Sequence, residues 1–124
     1  MPRLFTELVF DRTIRGTTEV FTSPTLNARL GEGDLLLYEI EVSEASGTTP
    51  TITVRHWHST SNDDAGFKAL PALWSAQSLA SLPYRDVQAQ AGAVKLAGSG
   101  KLGLALGNAD NVARVRVWVT ARSN

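Results

Sequence analysis

From Val112 to Ala121 the chain alternates without a break: Ala113, Val115, Val117, Val119 and Ala121 fall on one side, and Val112, Arg114, Arg116, Trp118 and Thr120 on the other. Successive side chains of an extended strand point to opposite faces, so this period of two predicts a long β-strand with one packed face and one face that carries charge outward. Near the end of the sequence, such a strand is expected to close a sheet. Leu35–Ser43 repeats the pattern, with Leu36, Tyr38, Ile40 and Val42 set against Leu37, Glu39, Glu41 and Ser43. Its outward acids complement Arg114 and Arg116, and opposite charges facing each other across an antiparallel pair contribute a few tenths of a kcal/mol each. The two segments are therefore predicted to be neighbours. A third alternation, Thr51–His58, places Ile52, Val54 and His56 on one face.

Weaker signals fill the intervals. Thr17–Thr22 is β-branched and is ended by Ser23-Pro24, because proline cannot donate to a ladder and restricts the residue before it. Tyr84–Val87, Ala93–Leu96 and Lys101–Leu106 read as short strands separated by turns at Gly92, Gly98 and Gly100, and Gly107–Asn111 makes the last connection. Gly31–Asp34, Glu44–Pro50 and the polar run Ser59–Gly66 read as turns or loops. Two segments resist assignment by period: Leu4–Ile14 mixes apolar and polar residues, and Ala72–Leu82 suits either a helical turn begun by Pro71 or an irregular strand. About eight short strands with hardly any helix predict an all-β antiparallel β-sandwich, jelly-roll-like in its connections, with an immunoglobulin-like sandwich as the alternative. No fixed-period repeat points to a propeller or solenoid.

At 124 residues the chain fits one domain, with residues 17–124 forming the sandwich and residues 1–16 forming either an N-terminal arm or its first strand. Twelve basic residues balance twelve acidic ones, which removes the basic footprint of a nucleic-acid binder and leaves no polybasic segment for an anionic membrane. There is no cysteine, so disulfides and thiolate metal sites are excluded, in keeping with a reducing compartment. No apolar run resembles a secretory signal or a spanning helix, so synthesis in the cytoplasm is expected.

Candidate chemistry is sparse. His56 and His58 share a strand face and precede Asp63 and Asp64, a donor set known from metal sites, but no third ligand is fixed by spacing; a packed His56 and a capping His58 are the simpler reading. Asn62, Asp63 and Asp64 offer oxygen donors without the spacing of a calcium loop, so an Asx turn fits better. Trp57, Trp74, Trp118, Tyr38 and Tyr84 would suit a sugar-stacking platform, with Trp57 and Trp118 on faces read as outward; a second layer or a subunit contact explains outward aromatics equally well. Ser59 lies next to His58 but lacks a nucleophile elbow, the carboxylate pairs Asp63/Asp64 and Glu39/Glu41 imply no cleft, and no phosphate-cradling loop is present. No enzyme, cofactor or metal is expected.

The strand Ile52–Ser59 running into Asn62-Asp63-Asp64-Ala65-Gly66, then Phe67 and Leu70, then the strand pair Lys101–Leu106 and Val112–Ala121, resembles the small β-sandwich structural proteins of tailed bacteriophages and phage-like particles. The resemblance is one of residue types over about two thirds of the chain. The sequence departs from it in a longer loop and in Phe67, where tryptophan is commoner. It implies a virion structural protein without catalytic residues or cofactor, made in the host cytoplasm. Such a protein serves in capsid decoration or cement, or as a minor capsid, neck or tail component, with other shell proteins and further copies of itself as partners. Leu4, Phe5, Leu8, Val9, Phe10 and Trp118 are the candidate subunit contacts, since arms and exposed strands are natural sites of strand addition. The alternative function is a carbohydrate- or small-ligand-binding module.

Overall fold

The computed structural model describes residues 3–22, 35–59, 68–91 and 99–123. These residues form eight strands, β1 (Arg3–Arg15), β2 (Val20–Phe21), β3 (Leu35–Ser46), β4 (Thr51–Ser59), β5 (Lys68–Ser78), β6 (Tyr84–Ala91), β7 (Ser99–Leu106) and β8 (Val112–Ser123). They make two four-stranded sheets, ordered β1-β8-β3-β6 and β2-β7-β4-β5. The first strand pairs with the last, the second with the last but one, and so inward, all antiparallel. The β3–β8 and β4–β7 pairs join these nested couples into sheets. A long hairpin folded back on itself in this manner is a jelly roll, so the all-β antiparallel sandwich stands, with the jelly-roll connections expected from the number of strands rather than the immunoglobulin-like alternative.

The inward faces are those the period of two assigns. Ala113, Val115, Val117 and Val119 of β8 meet Tyr38, Ile40 and Val42 of β3 and, from the other sheet, Ile52 and Val54 of β4 and Leu102, Leu104 and Leu106 of β7 in a single core. Close packing between two sheet faces leaves each such side chain without water, and burying one stabilises by about 1.5–3 kcal/mol.

Where the period fails, the strands bulge. In β1 the register steps between Leu8 and Phe10, leaving Val9 as an extra residue opposite β8. The step sends Phe10 inward, where it is buried, and turns Asp11 outward opposite Arg116. In β3 a similar step between Val42 and Glu44 turns Glu44 toward Arg114 and carries the strand on to Ser46, so the predicted loop from Glu44 begins only at Gly47. A bulge inserts one residue and resets which face follows, so a strict alternation test fails on strands that contain one. Ala72–Leu82 contains no helix: β5 covers Lys68–Ser78 and steps its register against β4 in three places, with Ala76 at a positive φ of 46°. Among the described residues no helix is long and apolar enough to cross a membrane. The expected turn Gly31–Asp34, the corner Ser23-Pro24, the strand Ala93–Leu96 and the loop residues Asn62, Asp63, Asp64 and Phe67 lie outside the described residues.

The turns at one end of the sandwich are tied together. Thr48, after β3, donates its backbone N–H and its hydroxyl to Asp110 at 2.9 and 2.7 Å. Asn108 and the buried Asn111, before β8, donate side-chain amides to the Thr48 carbonyl at 2.8 and 3.0 Å. Gly16, after β1, closes the group by donating to the Asn111 carbonyl.

Candidate functional site: the outer faces of the two sheets

With the interior filled, the surfaces available for recognition are the two outward faces. That of β1-β8-β3-β6 is laid out in rows running across its strands. One row is charged: Asp11, Arg116, Glu41 and Arg85 are cross-strand partners on β1, β8, β3 and β6. Arg85 pairs with Glu41 at 2.9 Å, and Arg116 lies 3.8 Å from Glu41 and 3.9 Å from Asp11. Arg114 adds a further ion pair to Asp11. The predicted attraction between β3 and β8 is thus realised through Glu41, whereas Glu39 stands opposite Trp118 and Arg114 turns to β1. Each exposed pair is worth only about 0–1 kcal/mol to folding, so the ladder sets the pattern of the surface more than its stability.

The neighbouring row is largely apolar: Leu8, Trp118, Glu39 and Val87 are partners across the same four strands. Leu8 and Val87 are 45% and 54% exposed, and Trp118 is half-buried beside Leu8, with the exposed Glu39 between it and Val87. Beyond it lie Thr6, Thr120, Leu37 and Ala89, with the two threonine hydroxyls hydrogen-bonded at 2.9 Å.

The outward face of β2-β7-β4-β5 is different. Phe21 and Trp57 meet edge to face with ring centroids 5.8 Å apart, and the Lys101 ammonium sits 4.2 Å above the Phe21 ring. Trp57 Nε1 donates to Glu19 at 2.9 Å, and Arg55 approaches the same carboxylate at 3.8 Å. Glu19 crosses the strands over Gly103, where an added Cβ would fall 2.2 Å from its carboxylate oxygen. The result is a small aromatic patch held in place by polar groups.

The candidate residues named from the sequence are thereby sorted. Leu8 and Trp118 are brought together as direct partners, and Val9 is half-buried against the core. Phe10 is a core residue at 4% exposure and does not belong to a contact surface. Leu4 and Phe5 lie in β1 opposite Arg122 and Ala121. The single aromatic platform does not form: Tyr38 and Trp74 are in the core, Tyr84 packs against it, and Trp57 and Trp118 occupy opposite sides of the sandwich. The sequence reading missed Val87, Arg85 and Asp11 on one face and Phe21, Glu19 and Lys101 on the other. Exposed apolar positions in otherwise polar strands, Val87 in Tyr84–Ala91 above all, were the available signal.

His56 is buried, and its Nδ1 lies 3.2 Å from the Tyr38 hydroxyl across the core. Among the described residues no cluster of three or more His, Cys, Asp or Glu is placed to hold a metal; Asp63 and Asp64 are outside them. Burial raises the Tyr38 phenol above its ordinary value of 10.0. The folded chain therefore holds that proton more tightly than the unfolded one, so stability is unaffected below about pH 10 and falls as pH rises beyond it, by up to about 1.4 kcal/mol per pH unit. Tyr38→Phe is expected to be less stable at neutral pH and to show a weaker alkaline decline, measured by denaturant titrations between neutrality and high pH.

No protein-family model matches the chain, and no curated protein matches it. Solved structures do. The VP2 subviral particle of infectious bursal disease virus matches with a TM-score of 0.62 at 10% identity, over 99% of this chain and 33% of that one. The Bacillus endospore appendages, a family of disulfide-linked pili, match at 0.53 and 13% identity, over 100% of this chain and 90% of theirs. The C-terminal family 22 carbohydrate-binding module of Clostridium thermocellum Xyn10B matches at 0.52 and 9% identity, over 97% and 80%. What they share with this chain is the β-sandwich fold. The chain spans about a third of the length of the viral capsid chains it matches.

Proposed function

We propose that this chain is a non-enzymatic structural component of a virion or phage-like particle, in capsid decoration or cement or as a minor capsid, neck or tail component, acting through protein–protein contacts. The observation that carries the reading is the outward face of β1-β8-β3-β6, where exposed Leu8 lies beside Trp118 and exposed Val87 lies across Glu39 in the same row, next to a charged row. Apolar residues rimmed by charge, on a rigid sheet with a filled interior behind it, suit docking against another protein. Particle and pilus proteins among the structural neighbours support the same reading at the level of the fold. Unlike a disulfide-linked pilus, this chain has no cysteine, so its contacts would be non-covalent. The chain is expected to band with particles in a density gradient of a producing culture. Leu8→Asp combined with Val87→Asp is expected to release it from that band while leaving the melting temperature nearly unchanged. A wild-type chain found only at the top of the gradient refutes the reading.

A second reading, a carbohydrate-binding module, is favoured by the Phe21–Trp57 patch, whose aromatic faces stand beside Glu19, Arg55 and Lys101 as hydrogen-bonding groups. It predicts retention on a glycan array that Trp57→Ala abolishes with little change in stability. An array without hits removes it.

A further inference from the structure

We propose that the outward face of β1-β8-β3-β6 docks a second copy of this chain face to face, about a two-fold axis that runs along the strands and passes midway between β8 and β3. The proposal deepens the structural reading above and rests on it for its biological sense. It follows from the order of signs in the charged row. Read across the sheet, Asp11, Arg116, Glu41 and Arg85 are acid, base, acid, base. A half-turn about such an axis keeps each row level and reverses the strand order. Asp11 then faces Arg85 of the second copy, and Arg116 faces its Glu41. Every facing pair is of opposite sign, which an order of acid, base, base, acid would not have produced. A partner with a uniformly acidic or basic face meets repulsion from half of this row, whereas a second copy meets none.

The same operation places Leu8 over Val87 of the second copy and Val87 over its Leu8, so these two exposed aliphatic side chains cover each other. A two-fold contact is isologous: each favourable pair occurs twice. Four strands about 4.8 Å apart and about ten residues long, at about 3.4 Å per residue, present a plane of roughly 600 Å², on the scale of the ~800 Å² per partner of a standard interface. Twisted sheets packed face to face cross at about 30°, so the axis bisects the mean strand directions of the two copies, about 15° from each, and the central Arg116–Glu41 pairs stay directly opposed. The outer pairs stay within reach of the long Arg85 side chain, which is 68% exposed.

Two single substitutions on the edge strands test the geometry. Arg85→Glu sets acid against Asp11 of the second copy, and Asp11→Lys sets base against its Arg85, so each variant alone is expected to self-associate at least about tenfold more weakly than wild type. When the two are mixed in equal amounts, the acid introduced on β6 of one variant faces the base introduced on β1 of the other, and the unaltered Asp11 of the first faces the unaltered Arg85 of the second. A heterodimer of near wild-type affinity is expected. Sedimentation equilibrium or native mass spectrometry reads the outcome, with circular dichroism establishing that each variant is folded. Should either variant unfold, Val87→Glu, at an exposed position of β6, replaces it and is expected to weaken the wild-type dimer. Raising the salt from about 0.1 to 1 M is expected to weaken the wild-type dimer as well. The proposal is overturned if the wild type is monomeric up to about 1 mM, the concentration at which even a weak dimer fills. Variants that dimerise as wild type does, or folded variants whose mixture gains nothing, overturn it equally. A monomer that still bands with particles defeats the two-fold docking and leaves the structural reading intact; a dimer that never bands with them does the reverse.

Discussion

Trp74→Ala is expected to lower stability by about 3–5 kcal/mol, enough to move the thermal midpoint by about 10 °C or more. Trp74 is 1% exposed and fills the core from β5, the edge strand of its sheet. Its indole N–H donates at 2.8 Å to Asp86 of β6, the edge strand of the other sheet. One side chain therefore both packs the interior and ties the two sheets together along one side. Truncation leaves a large cavity and removes the charge-assisted bond from the indole to the Asp86 carboxylate, which also accepts from the Val87 N–H at 2.9 Å. Trp74→Phe separates the contributions: most of the bulk survives and the bond is lost, for a cost of about 1–3 kcal/mol. Equilibrium urea unfolding of both variants measures the difference. A Trp74→Ala chain as stable as wild type would show that the two sheets are held together elsewhere.

Gly47→Ala is the second change expected to be severe, at about 2–4 kcal/mol, because left-handed strain and a backbone collision act together. Gly47 has a φ of 101°, and an added Cβ would stand 2.5 Å from the Asp110 carbonyl oxygen. Relief requires the turn after β3 to move away from the turn before β8. That movement breaks the bonds from Thr48 to Asp110 and from Asn111 to Thr48, and Asn111 is fully buried. Thermal melts measure the cost, and faster amide exchange at Gly16 and Thr48 is expected to accompany it, since both N–H groups are bonded within the same knot. The hydroxyl and N–H of Thr48 also hold the Asp110 carboxyl below its ordinary range. Stability from that group is present at neutral pH and is lost as acid protonates it, so the bonds from Thr48 to Asp110 are expected to weaken at low pH.

Much of the fold was legible in the sequence because its long central strands follow a period of two. Val112–Ala121 and Leu35–Ser43 could be assigned, faced and paired from the pattern alone, and β3 and β8 are indeed neighbours in the sheet. β1 was not legible in the same way. The extra residue at Val9 shifts the phase of the pattern, so Phe10 reads as part of an apolar run and Asp11 as an isolated acid until β8 fixes where each points. The candidate surface was half legible. Leu8 and Trp118 stood out as apolar residues in outward or unassigned positions, but the sequence offered no reason to place them side by side, nor to add Val87 from β6.

The local period and the turn residues decided by themselves that this chain is built of short strands with one apolar side to each long one, because those properties depend on neighbours a few residues away. Which strands lie together, how the bulges reset their faces, and the acid-base-acid-base order across β1, β8, β3 and β6 were decided only by the tertiary structure. Each of those depends on pairings between segments far apart in the chain, and a pairing register is set by the packing of the whole core rather than by either strand alone.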